Sequence, residues 1–422
     1  MPEASKGGNN AGNMYLSNRI IILQYLQRHG VCTRAQIAKK IGLTEAAISK
    51  ITAAMIENGI IEECGVLAGS KGRRSIGIHI NPNGVKIVGV KLSRRNFAVG
   101  VFDFSGECVA STQENFTRED DLRQVFHRIR SAIRKYIANY PDIVVTGMAV
   151  PGPFLKKEDR ILMITEMGDT GEDDIDLRAE FNVQRVGNRP IIFEQDANAG
   201  ALADWWFEIG DVHLRGTAVH FLVGEGVGAG VISNGALNTG DQGTAAEIGH
   251  TSIDINGEKC HCGNRGCLEQ YCSSIAFVKN AMAHRAEAPE SRLNAYDKLT
   301  SSIIFREAQA GDAKAIELVR REGTYIGYGL VNLVHCYNPS TILISNEISK
   351  GGPLLLDAAL AVARERLIPR LFESVQIRLS TFEGDDILYG AAAVAIDYCL
   401  NRPDIMGNKR TPKQTADKEV TL

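Results

Sequence analysis

The sequence predicts a mixed α/β protein of two unequal parts: a small N-terminal unit of three helices and a β-hairpin, then a larger body of two α/β lobes. Three observations predict this. Apolar residues recur at helical spacing three times before residue 58, with capping residues between the runs. Beyond residue 82, apolar strand patterns alternate with helical ones, and the alternation occurs twice, as two lobes require. A compact His/Cys segment between residues 247 and 269 reads as a metal clip within the second lobe.

Composition narrows the class. A chain that is 44% hydrophobic and 23% charged has the make-up of a soluble globular protein with room for real cores. No apolar run has the length of a membrane span. The opening MPEASKGGNNAGN lacks the apolar core of a secretory signal, so residues 1–13 read as a disordered lead. Nine cysteines, an odd number and mostly scattered, fit a reducing cytoplasm. Net charge is −3 but unevenly spread, because residues 1–80 hold ten Lys/Arg against five Asp/Glu. A basic N-terminal unit on an acidic body points to a polyanion partner for that unit.

Residues 14–81 form the predicted N-terminal domain. YLSNRIIILQYLQRH at 15–29 reads as a helix with Ile20, Leu23, Leu26 and Gln27 at helical spacing, ended by Gly30. Thr33 caps a second short helix, and Thr44 caps a third that runs to about Glu57. Ala47, Ile48, Ile51 and Met55 form the buried stripe of the third helix. Thr44, Glu45, Ala46, Ser49, Lys50 and Thr52 form its short, polar outer face. The strand from Ile60 and the alternating SIGIHI at 75–80 enclose LAGSKGRR, a hairpin tip carrying Lys71, Arg73 and Arg74. Helix, turn, helix and basic wing together form a winged helix–turn–helix that places the third helix in a DNA major groove. The wing then reaches phosphates or the minor groove. The predicted DNA contacts are Thr33, Arg34, Thr44, Glu45, Ala46, Ser49, Lys50, Lys71, Arg73 and Arg74.

Asn81-Pro82-Asn83-Gly84 is a turn and a domain boundary. The body spans 82–400. Paired strands follow the boundary, then a helix over 120–139 and the buried strand IVVTGMAVPGP. PIIFEQDANAGALADWWF reads as strand, turn and helix, and TAVHFLVGEGVGAGVISNG as paired strands about a glycine turn. Residues 275–335 are mainly helical, TILIS at 341–345 is a buried strand, and DILYGAAAVAIDYCL is a closing helix. Residues 401–422 form a polar tail.

Within the metal clip, His250, Cys260, Cys262 and Cys267 fall in eighteen residues, with Gly263 and Gly266 bending the chain between them. Three thiolates and an imidazole are the ligand set of a closed, structural Zn2+ site. A disulfide and three unconnected thiols are the alternatives; the reducing compartment and the compact spacing favour the metal.

The same segment, Glu-x-Gly-His followed by Cys-x-Cys-Gly-x-x-Gly-Cys-Leu-Glu, resembles the signature of the ROK family of repressors, open reading frames and sugar kinases. EQDANAGA at 194–201 and GEGVGAGVISNG at 224–235 resemble two further family segments. The resemblance implies an actin-like, sugar-kinase-like fold of two lobes over 82–400. It also implies a sugar site made by Gly152, Gln195, Asp196, Glu247, His250 and Glu269. In a kinase of the family, Asp196 would be the catalytic base toward the attacking hydroxyl.

Three positions depart from the family's nucleotide-binding pattern. Gly89-Val90-Lys91-Leu92-Ser93-Arg94-Arg95 stands where kinases resemble Gly-x-Asp-x-Gly-Gly-Thr. Gly224-Glu225-Gly226 replaces Gly-Thr-Gly, and Ser345-Asn346 replaces Gly-Gly. Side chains where a phosphate needs bare backbone, and a carboxylate beside a polyanion, oppose ATP binding. The combination resembles the xylose and N-acetylglucosamine repressor branch of the family. It implies a sugar-responsive transcriptional repressor of carbohydrate-utilisation genes, with a double-stranded operator and a sugar or sugar phosphate effector as partners. Such heads need paired half-sites, which predicts a homodimer or dimer of dimers, and a further reading makes the sugar lobe a docking platform for a sugar-transport protein. The alternative is an ATP-dependent sugar kinase carrying a DNA-binding head.

Overall fold

The computed structural model describes residues 9–68, 74–117, 119–162, 174–181, 185–186, 189–209, 216–402 and 405. The head begins with α1 (Asn9–His29), which starts inside the predicted lead and buries Ile22, Leu23 and Leu26. A two-residue strand, β1 (Cys32–Thr33), precedes α2 (Arg34–Ile41) and α3 (Glu45–Glu57). Thr33 caps α2 reciprocally: its hydroxyl accepts from Gln36 N at 3.2 Å, and its own N–H donates to Gln36 Oε1 at 2.7 Å. Thr44 Oγ1 accepts from Ala47 N at 3.2 Å to start α3, whose Ile48, Ile51 and Met55 are buried. Strands β2 (Ile61–Ala68) and β3 (Arg74–Ile80) pair antiparallel as the wing, and β1 adds a third strand in the order β1-β3-β2. Lys71 and Arg73 lie outside the described residues.

The first lobe is a six-stranded sheet of β4 (Lys86–Leu92), β5 (Asn96–Asp103), β6 (Cys108–Asn115), β7 (Ile143–Val150), β11 (Arg185–Val186) and β12 (Arg189–Gln195), in the order β11-β12-β7-β4-β5-β6. Helix α4 (Leu122–Asn139) lays Leu122, Val125, Phe126, Ile129 and Ile133 on its outer face. The short strands β8 (Phe154–Leu155), β9 (Arg160–Ile161) and β10 (Ile175–Asp176) and the one-turn helix α5 (Leu177–Glu180) cover one end. The second lobe contains β13 (Thr217–Val223), β14 (Val227–Ser233), β15 (Ala236–Leu237), β16 (Thr341–Ser345) and β17 (Gln376–Leu379), in the order β15-β14-β13-β16-β17. Both sheets combine an antiparallel meander with parallel strands, as the twofold alternation in sequence predicts. Helices α7 (Glu269–Cys272), α8 (Ser274–His284), α9 (Ser301–Gln309), α10 (Ala313–Tyr337), α11 (Gly352–Arg366) and α12 (Pro369–Ser374) pack about the second sheet.

Two helices fill the seam between the lobes. Helix α6 (Asp196–Ala203), continued by a π-helical turn at Asp204–Glu208, packs on the second sheet. Helix α13 (Asp386–Asn401) packs on β4 and β7 of the first. A Cβ on Gly390 would stand 2.3 Å from the Ala199 carbonyl oxygen, so glycine is what lets the helices meet backbone to backbone. At the seam's far end α1 joins the body. Its Ile22, Leu23 and Leu26 belong to one apolar cluster with Trp205, Trp206, Ile396 and Leu400. Head and body therefore share a core.

At Gly147 in β7 a Cβ would lie 2.0 Å from the Ala391 carbonyl of α13, which is backbone and cannot swing aside. Gly147→Ala should force α13 off the sheet and destabilise the body by about 1–3 kcal/mol, the usual cost of overpacking a core. A lower midpoint in urea denaturation would register it.

Candidate functional site

On the head, Thr44, Glu45, Ala46, Ser49 and Lys50 are all exposed on one side of α3, forming the outer face that the sequence predicts. One expected member of that face, Thr52, and two expected DNA contacts outside α3, Thr33 and Arg34, have inward partners. Thr33 is buried by its capping role. Thr52 is fully buried, with its hydroxyl donating to the Ile48 carbonyl at 2.8 Å. Arg34 spends its guanidinium inside the head: Nε donates to Thr52 Oγ1 at 3.1 Å, and Nη2 donates to Glu63 Oε1 at 2.7 Å. It braces α2 against α3 and β2. Lys39 and Lys40 in the last turn of α2 are further exposed cations of the head, and sequence reasoning did not single them out.

In the body, a cleft of about 560 Å³ opens between the lobes. All six residues that the resemblance assigns to a sugar line it: Gly152, Gln195, Asp196, Glu247, His250 and Glu269. Each is set by the end of an element. Gln195 closes β12 and Asp196 opens α6, so the first lobe delivers one and the seam helix the other. Glu269 opens α7, where its Oε2 accepts from Val227 N at 2.9 Å. Gln195 Nε2 donates to Glu247 Oε1 at 3.1 Å, while Gln195 Oε1 is buried and has no hydrogen-bond partner among the described residues. A Cβ on Gly152 would sit 2.3 Å from Gln195 Nε2, so a side chain there would displace that amide.

The acids are electrostatically crowded. Burial pushes the Glu247 carboxyl up to about 7, and the Asp196 and Glu269 charges add to the rise while the Gln195 amide opposes it. Burial also lifts Asp196, to about 6, against the pull of the Ala197 N–H and the Arg94 guanidinium. Carboxyls held near neutrality can accept from a hydroxyl when ionised and donate to one when protonated. The cleft thus offers an orphaned amide oxygen and several carboxyl groups to a polyhydroxylated ligand.

The opposite wall is closed on itself, and sequence reasoning missed most of these partners. Arg94, in the turn after β4, donates to the Glu225 carbonyl at 3.0 Å and lies 3.6 Å from Glu269 Oε1. Arg95 Nε is 3.4 Å from the Glu225 carboxylate, whose carboxyl is raised by burial and held back by the two arginines. Lys91 Nζ lies 2.7 Å from Asp385, at the N-cap of α13. Asn346 adopts a positive φ and caps Glu347 N at 2.8 Å, with its Oδ1 pressed against Gly224. The three positions that depart from the kinase pattern are therefore brought together and occupied by internal partners. Ser345 Oγ is buried 2.7 Å from His220 Nε2, whose Nδ1 is 2.7 Å from Asp204. Asp385 and Asn346 are remote in sequence from Lys91 and Gly224, so no local pattern could have paired them.

His250, Cys260, Cys262 and Cys267 converge at the rim of this cleft, with all four donor atoms within 4.8 Å of one another. Cys262 and Cys267 sulfurs are 3.7 Å apart, and His250 Nδ1 is 3.8 Å from Cys260 Sγ. A tetrahedron of thiolates at about 2.3 Å from a zinc ion has edges of about 3.8 Å, so the donor set fits a divalent metal. The same separation is far beyond the roughly 2 Å of a disulfide. The loop is held by Asn264, whose backbone carbonyl accepts from Cys260 N at 2.8 Å and whose side chain donates to the His250 carbonyl at 2.9 Å.

A DNA-reading head fused to a two-lobed body with an acid-lined interlobe cleft defines a DNA-binding protein built on a sugar-kinase scaffold. The chain belongs to the ROK family, whose pattern matches residues 87–398; a winged helix-turn-helix DNA-binding pattern matches residues 17–62. It is 28% identical over 394 residues to the xylose repressor of Caldicellulosiruptor bescii, covering 92% of this chain and 97% of that protein. Among solved structures it is similar to a ROK family transcriptional regulator, a homologue of the Escherichia coli MLC protein. The TM-score is 0.74 at 25% identity, over 93% of this chain and 99% of that one. A ROK family glucokinase from Streptomyces griseus in complex with glucose and AMPPNP matches at a TM-score of 0.63 and 26% identity, over 73% of this chain and 98% of that one.

Cys260→Ser should release bound divalent metal and loosen the second lobe, since metal affinity is folding free energy here. Inductively coupled plasma mass spectrometry should find about one equivalent in the wild type and none in the variant, with a lower melting temperature. A variant free of metal and equally stable would remove the metal from the fold's support.

Proposed function

We propose that the chain is a sugar-responsive transcriptional regulator, a repressor of carbohydrate-utilisation genes, acting on DNA in the cytoplasm. The observation that carries the reading is the two-sided cleft. Its hydroxyl-binding wall is intact, with Gln195 Oε1 buried and unmatched among the described residues, while its phosphate-binding wall is filled by Arg94, Glu225, Lys91 and Asp385. A sugar has partners there. A nucleotide triphosphate meets a carboxylate and two occupied cations instead of bare backbone.

In this reading Asp196, Glu247 and Glu269 take sugar hydroxyls, Gln195 adds its amide, His250 faces the ring, and Gly152 leaves room at its edge. His250, Cys260, Cys262 and Cys267 hold a structural Zn2+ that fixes the loop bearing His250. The exposed face of α3, with Thr44, Glu45, Ala46, Ser49 and Lys50, enters a major groove; Lys71, Arg73 and Arg74 of the wing reach the backbone. Two heads of a homodimer match two operator half-sites. The sugar acts through its differential affinity for two lobe arrangements.

Anisotropy of the purified protein on duplex DNA from its own upstream region, with a panel of sugars and sugar phosphates, tests this directly. One sugar should alter specific binding; binding that no sugar alters would separate the head from the cleft. Lys50→Ala should weaken that binding about tenfold and reduce its salt slope by about one, as loss of one phosphate contact does.

The retained Asp196 is the one observation favouring a kinase. In a coupled assay with ATP and the same sugars, turnover above background would overturn the regulator-only reading, and none is expected.

A further inference from the structure

The cleft and the head are far apart in sequence, yet two helices run from one to the other. Helix α6 starts at Asp196 in the cleft, and its π-helical continuation ends beside the head. Helix α13 is capped by Asp385 in the cleft and ends at the head as well. The head touches both far ends through one helix. Gln24 of α1 donates from Nε2 to the Trp205 carbonyl at 3.0 Å, and Arg19 of α1 donates from Nη1 to the Leu400 carbonyl at 3.0 Å. Both side chains are buried.

The two carbonyls belong to different lobes. The π-helical turn carrying Trp205 is fastened to the second sheet by Asp204, whose carboxylate meets His220 of β13 and through it Ser345 of β16. Glu208 of the same turn accepts from Ser380 Oγ at 2.7 Å and Thr381 N at 3.0 Å, just beyond β17. Leu400 lies on α13, which rests on the first sheet through the close approach at Gly147. Packed interfaces move between discrete arrangements rather than deform continuously. A change in the angle between the lobes therefore shifts the Trp205 carbonyl relative to the Leu400 carbonyl.

We propose that α1 straddles the lobe seam and is the head's sensor of lobe arrangement, with Gln24 tethered to the second lobe and Arg19 to the first. Neither residue faces the cleft or the exposed side of α3, so both act on the response rather than on either ligand. The inference rests on the regulator reading, because it assigns the path by which a sugar in the cleft alters the head. It also makes the coupling reciprocal: DNA on the head must change sugar affinity in the cleft by the factor by which the sugar changes DNA affinity.

The experiment uses the full-length protein and three separate readouts. Calorimetry with glucose, xylose, N-acetylglucosamine and their phosphate esters gives sugar affinity; anisotropy on the upstream duplex gives DNA affinity with and without sugar. Gln24→Leu removes one tether at nearly constant volume. It should leave both separate affinities within about threefold of wild type while the sugar-induced change in DNA affinity falls to less than twofold. Arg19→Lys keeps a donor and should retain the change. Full coupling in Gln24→Leu would overturn the proposal.

Hydrogen exchange of the wild type supplies the third readout and does not depend on any variant folding. Duplex DNA alone should alter exchange at 197–203 and 387–390, and unchanged exchange there would overturn the proposal. Altered exchange without any sugar effect would instead keep the sensor and remove the sugar reading.

Discussion

The body is held at its seam by contact of backbone on backbone, where Gly390 leaves no side chain between α13 and the Ala199 carbonyl of α6. That closeness fixes the width of the interlobe cleft, because Asp196 and Asp385 stand at the starts of these two helices. Small residues continue the seam: Ala149, Ala197, Ala199 and Ala391 are fully buried in one apolar cluster. Alanine faces give little resistance to sliding compared with interlocked large side chains, while remaining tightly packed.

The charges on the cleft walls complement that geometry. Arg94 crosses from the first lobe to the Glu225 carbonyl and the neighbourhood of Glu269 in the second. A sugar that engages Glu269 meets a carboxylate already shared with a guanidinium, so ligand binding and the interlobe contact draw on the same group. The phosphate-binding wall of a kinase has in this way become a set of internal ion pairs.

Local patterns were legible in the sequence, and long-range ones were not. The caps at Thr33 and Thr44, the stripe of Ile48, Ile51 and Met55, and the spacing of His250 with three cysteines each act within a few residues, so residue type and spacing suffice. The two-residue β1 is too short for any period to reveal. Arg34 and Thr52 looked like groove-facing residues because helical phase says which side a residue is on, and not whether a partner such as Glu63 has claimed it. Asp385 opposite Lys91, and Asn346 against Gly224, meet only after the lobes have formed. The six cleft residues came from family resemblance, and the fold gathers them into one space.

The core shared by α1 and the body bears on how such proteins diversify. With Ile22, Leu23 and Leu26 in one apolar cluster with Ile37, Ile48 and Met55 of the head and with Trp205, Ile396 and Leu400 of the body, the first helix serves both units. The head is therefore not a freely portable unit, because its first helix is packed both on α2 and β3 and on the body. A graft cut at the domain boundary near Pro82 would carry the wrong helix into an unmatched apolar socket. A graft joined at the Gly30 turn would keep the socket filled but would need a new α2 and β3 that match α1.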